Sequence, residues 1–110
     1  MSHLTTHILD TARGRPAANV SVLLEHQGDR WIEVARGTTD GDGRVGELGP
    51  ERLASGIYRL TFAVGDYFAA RKEECFYPEV QVTFRVDEKE AHYHVPLLLN
   101  PFGYSTYRGS

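Results

Sequence analysis

The sequence predicts an all-β protein, a two-sheet sandwich of seven or eight short strands with one short helix. Three observations predict it. Short runs alternate apolar with polar residues, or are rich in β-branched and aromatic side chains. Gly, Pro, Asp and Asn punctuate those runs at regular intervals. One stretch alone, "GDYFAARKEE", drops the β-branched residues and takes up helix formers. A chain of 110 residues, 41% hydrophobic and 25% charged, has the size and composition of a single globular domain, residues 1–110. At that length a chain buries about two thirds of its unfolded surface, which leaves association between copies as a natural source of further burial.

The elements follow in order. Residues 4–10 form the first strand, closed by a turn at "RGRP". Residues 19–26 put Val20, Val22 and Leu24 on one face, because side chains alternate along a strand. "QGD" turns into residues 30–37, where Ile32 and Val34 share a face. "TDGDG" is the strongest turn signal, followed by a short segment at Arg44 and Val45 and a loop through "GPERLASG". Residues 57–64 carry Tyr58, Leu60, Phe62 and Val64 on one side. The helix is expected from Asp66, as its N-terminal cap, to Glu73. Residues 77–87 then align Val80, Val82, Phe84 and Val86; "DEKE" turns into residues 92–99; "NPFG" turns into residues 104–108. Pro96 is expected at an edge, a bulge or a strand end, because proline has no N–H for a central ladder.

Composition narrows the function. The net charge is -3 with both signs interspersed, so no basic face gathers phosphates or anionic lipid, and nucleic acid is excluded as a partner. Cys75 stands alone, which rules out an intrachain disulfide framework and points to a reducing, cytoplasmic setting. The opening "MSHLTTHILD" lacks a cationic leader with an apolar run, and no run of apolar residues is long enough to span a bilayer, so neither secretion nor a membrane is expected.

Of the five histidines, three on expected strands stand out: His7 in "TTHILD", and His92 and His94 in "HYH". Period two places His92 and His94 on one face, opposite Tyr93, Val95 and Leu97, and turns His7 away from Ile8. In a sandwich whose apolar faces turn inward, the imidazoles therefore lie on an outer sheet surface. Three readings are open. They are solvated surface groups; or they bind a metal, two imidazoles on one face with His7 as a third; or they move protons, since imidazole alone has an unperturbed pKa near neutrality. "DGDGRV" resembles the opening of a calcium loop, but Arg44 stands where an oxygen ligand is needed and Val45 where a glycine is needed, so it reads as a turn. That turn holds Arg44 on a tight frame, either as a plain surface arginine or as a guanidinium fixed for an anionic oxygen.

Four segments, "LTTHILDTARGRPAANV", "TTDGDGR", "CFYPEVQVTF" and "HYHVPLLLNPFGYSTYRGS", together resemble the transthyretin-related 5-hydroxyisourate hydrolases of purine catabolism, in order along nearly the whole chain. "YRGS" is the most discriminating, since the hormone-carrying transthyretins of the same fold lack it. The resemblance implies a transthyretin-like sandwich and a homotetramer built as a dimer of dimers, with the site at the dimer–dimer interface. It assigns catalysis to His7, Arg44 and His94, and the pocket to Tyr107, Arg108, Gly109 and Ser110, with His92 in support. The implied reaction opens 5-hydroxyisourate at the N1–C6 bond, giving 2-oxo-4-hydroxy-4-carboxy-5-ureidoimidazoline on the way to allantoin. No metal or organic cofactor is implied. The alternative on the same fold is a non-catalytic carrier of a small ligand.

Overall fold

A computed structural model describes residues 2–110. Its strands are β1 (Leu4–Asp10), β2 (Arg15–Pro16), β3 (Ser21–Gln27), β4 (Trp31–Thr38), β5 (Gly56–Phe62), β6 (Val80–Val86), β7 (Tyr93–Asn100) and β8 (Gly103–Thr106), with the helix α1 (Val64–Ala70) between β5 and β6. One sheet runs β2-β1-β7-β8 and the other β4-β3-β5-β6. The two-sheet sandwich expected from strand alternation is the fold observed.

Alternation decides which side chains enter the core. In β1 the buried residues are Leu4, Thr6, Ile8 and Asp10, while Thr5, His7 and Leu9 face outward. In β7 Tyr93, Val95, Leu97 and Leu99 are buried against β3 and β5, which contribute Val22, Leu24, Tyr58, Leu60 and Phe62. Each such side chain contributes roughly 1.5–3 kcal/mol by leaving water. β4 is weaker: it is an edge strand with a register shift opposite Leu24 and Glu25, Ile32 is 56% exposed, and Val34 is the member of the expected pair that packs on the core.

Four expectations are corrected. The helix begins at Val64 rather than Asp66, and its N-cap is Ala63 with no side-chain hydrogen bond. Burial sets this start, since Val64, Tyr67 and Phe68 form the inward stripe, and Asp66 instead lies in the first turn, where its charge suits the helix dipole. The helix also ends before Glu73. Lys72 adopts a left-handed φ of 57°, and the N–H groups of Lys72 and Glu73 return to the carbonyls of Ala69 and Phe68, a Schellman closure made without glycine. The "RGRP" turn contains the two-residue strand β2, paired with Leu9 and Asp10.

Pro96 lies within the interior strand β7, not at an edge or end. Its carbonyl accepts the Thr106 hydroxyl at 2.7 Å, so its backbone faces β8. There the ladder covers Leu97 to Asn100 and resumes only as a bridge between His94 and Gly109. The missing N–H falls in that interruption and costs no ladder bond.

Candidate active site

β1 and β7 pair in parallel, with Thr5 opposite His94 and His7 opposite Pro96. Parallel pairing with both strands in the same inside-out phase brings Thr5, His7, His92 and His94 onto the outer surface of one sheet. The Thr5 hydroxyl lies 2.8 Å from His94 Nδ1 and 2.9 Å from His92 Nε2, so a single hydroxyl joins both imidazoles.

Arg44 reaches this surface through its turn. Asp40 Oδ1 accepts the N–H groups of Asp42 and Arg44 at 2.9 and 3.1 Å, and these bonds hold the Asp40 carboxyl below the usual carboxylate range. Gly43 has a φ of 77°, and its carbonyl accepts the Ile8 N–H at 2.8 Å. A Cβ at Gly43 would collide with the Ile8 carbonyl, so only glycine lets the turn dock so closely on β1. The next residue is then carried alongside His7 as an antiparallel bridge between His7 and Arg44.

The chain end closes the other side. The Gly109 N–H donates to the His94 carbonyl at 2.8 Å, and a Cβ on Gly109 would stand 2.5 Å from His94 Cδ2. Ser110 thereby lines, with Thr5, Thr6, Arg44, His92 and His94, a cleft of about 290 Å³. His94 is half-buried here. Burial first, and then the positive fields of His7, His92 and Arg44, push its pKa below the ordinary imidazole value, so it is neutral at neutral pH.

The expected site residues thus divide. Arg44, His92, His94, Ser110 and Gly109 meet at the cleft, and His7 stands beside it through its bridge to Arg44. Tyr107 and Arg108 do not line this cleft but a separate recess with Tyr93 and Val95, where the Arg108 guanidinium lies 4.7 Å over the Tyr93 ring and 3.8 Å from Glu90. Among the described residues no group of three or more His, Cys, Asp or Glu is placed to hold a metal ion. Thr5 was not singled out from the sequence. Its signal was period two, since it precedes His7 by two residues on the same face, but threonine on an outer strand face is also ordinary β composition.

A sandwich that keeps its core apolar and sets imidazoles, a guanidinium and a chain end on the outside of one sheet defines a class of protein whose site is built on a sheet surface. The chain belongs to the HIUase/Transthyretin family, whose profile matches residues 4–109. A Salmonella dublin protein named 5-hydroxyisourate hydrolase is 49% identical over 109 residues, covering 97% of this chain and 80% of that one. The solved structure of Klebsiella pneumoniae 5-hydroxyisourate hydrolase superposes with a TM-score of 0.88 at 38% identity, covering 99% of this chain and 100% of that chain. Sea bream transthyretin, solved in complex with thyroxine, superposes at 0.92 with 31% identity, covering 97% and 94%.

Proposed function

We propose that this chain is a 5-hydroxyisourate hydrolase that opens the substrate at the N1–C6 bond to give 2-oxo-4-hydroxy-4-carboxy-5-ureidoimidazoline. The observation that carries the reading is the convergence of His92, His94, Arg44 and Ser110 on one cleft beside His7, in a chain 49% identical to a protein of that name.

The chemistry follows from the groups. Hydrolysis needs a base for water, a site for negative charge and a proton for the leaving nitrogen. His94, held neutral, takes a proton from water as the water oxygen adds to C6. The guanidinium of Arg44 faces the charge that develops on the C6 oxygen. N1 then leaves with the proton carried by His94, the N1–C6 bond breaks, and C6 becomes a carboxyl group. His7 orients the water or substrate from the Arg44 side. Ser110, held by the Gly109 bond to β7, shapes the floor.

The assembly belongs to the same proposal: a tetramer, as a dimer of dimers, covers the open cleft. Phe102, Tyr104 and Tyr107 are exposed in the single chain and offer apolar surface for such contacts. With Tyr107 and Arg108 outside the chain's own cleft, their part in the pocket depends on that assembly.

The test is to generate 5-hydroxyisourate in place with a urate oxidase and follow its ultraviolet decay with and without the protein, after chelator treatment. Acceleration that survives chelation supports the reading. A folded protein that leaves spontaneous decay unchanged refutes it and favours the carrier alternative.

A further inference from the structure

Resting on the hydrolase reading, we propose that Thr5 is a positioning residue that couples the tautomers of His92 and His94 and thereby decides whether His94 faces the cleft as a base or as a donor. The geometry carries this. One hydroxyl lies within 2.9 Å of a ring nitrogen on each imidazole, and a hydroxyl has a single proton to donate. If Thr5 donates to His92 Nε2, it must accept from His94 Nδ1–H, and His94 Nε2 is then unprotonated. If it donates to His94 Nδ1, it must accept from His92 Nε2–H, and His94 carries its proton on Nε2.

The cleft selects between the two. A guanidinium has only donors, so Arg44, which lines the same cleft and whose positive field reaches His94, favours a lone pair rather than an N–H on the ring nitrogen that Thr5 leaves open. The resting arrangement is therefore His94 Nδ1–H to Thr5, Thr5 O–H to His92 Nε2, and a bare His94 Nε2. Protonating His92 reverses it: both ring nitrogens of His92 become donors, the Thr5 proton turns to His94 Nδ1, and the His94 proton moves to Nε2. The charged and titratable groups facing the pair are His7 on β1, Arg44 on its turn, the carboxyl end of Ser110 in the same cleft, and His3 and Glu51, which line the recess beside His92.

Thr5→Val keeps the side-chain shape and β-branching while removing the hydroxyl, and Thr5→Ser restores it. The first readout is the ring ¹⁵N spectrum of the substrate-free protein, with signals assigned through His92→Gln and His94→Gln. In the parent, neutral His94 is expected as the Nδ1–H tautomer, changing to Nε2–H in the form where His92 carries both ring protons. In Thr5→Val the two rings lose that coupling and His94 becomes a tautomer mixture, while Thr5→Ser keeps it. The second readout is turnover: Thr5→Val lowers kcat by about tenfold or more with KM within about twofold, and Thr5→Ser recovers most of the loss. Identical tautomers and pH response in parent and Thr5→Val overturn the proposal even where the parent hydrolyses the substrate. A coupled spectrum in a parent without hydrolysis leaves the bridge standing and removes the hydrolase reading instead.

Discussion

Replacing Gly109 by alanine tests how tightly the chain end and His94 are fitted. The added Cβ would lie 2.5 Å from His94 Cδ2, 3.2 Å from Cγ and 3.3 Å from its Cβ. Ordinary carbon contacts begin near 3.5 Å, so either the imidazole or the chain end must move by about 1 Å. Displacing a reacting group by about 1 Å costs on the order of 100-fold in rate, equivalent to about 2.7 kcal/mol in the barrier. Stability should change by less than about 1 kcal/mol, since the segment from Tyr107 to Ser110 is largely exposed and adds little to the core. The assay compares kcat for 5-hydroxyisourate hydrolysis with the thermal midpoint, using Gly103→Ala as control. A Cβ on Gly103 meets only the Asn100 side chain at 3.8 Å, an ordinary contact, so its turnover should stay within about twofold. A Gly109→Ala protein that turns over like the parent would refute the reasoning.

Because His94 is held below the ordinary imidazole value, the loss of kcat/KM that comes from its own protonation should lie in mildly acidic pH; Arg44→Gln removes one opposing charge and should move that acidic limb to higher pH. An unmoved limb would show that Arg44 does not act on His94. Deleting residues 107–110 should leave a folded protein with little activity, checked by circular dichroism alongside turnover, and full turnover by the truncated chain would rule out a role for that segment. Asp10 is buried, which by itself raises its pKa, but hydrogen bonds from the Tyr67 hydroxyl at 2.7 Å and the Arg13 N–H at 3.0 Å, with the Arg13 charge, bring it below the ordinary value. Its stabilisation is therefore present above the unfolded carboxyl pKa, near 3.9, and lost as pH falls through the lower folded value. Tyr67→Phe should cost about 1.5–3 kcal/mol at pH 7, read by urea denaturation, and less in acid; an equal cost at both would contradict the assignment.

The fold was legible wherever burial imposes a period. Val20, Val22 and Leu24, and again Tyr58, Leu60 and Phe62, announce their strands because one face must be apolar. The same logic set His92 and His94 outside the core. It failed where tertiary packing overrides local signals. Asp66 looks like a cap, yet the need to bury Val64 moves the helix start upstream. Pro96 looks like an edge residue, yet a local interruption between β7 and β8 admits it to a central strand. At the site, the glycine-framed turn pointed to Arg44, but its alignment with His7 depends on Gly43 docking on β1, which no local pattern encodes. Thr5 was hidden for a similar reason: its partners are 87 and 89 residues away, and only strand pairing brings them together.

That separation also governs when the site can exist. β1 and its parallel partner β7 are separated by most of the domain, and Gly109 must follow β7 before His94 is fixed from both sides. Closing so long a loop loses entropy before any contact compensates, so the β1–β7 junction is expected to be a slow step of folding. Until then β1 waits with its N–H and C=O groups unpaired on the side that β7 will occupy, a template for the β7 of another nascent chain. Completion of the cleft is thus a report that two distant segments of one polypeptide have found each other, and exchange of β1 between newly made chains is a misassembly this topology invites.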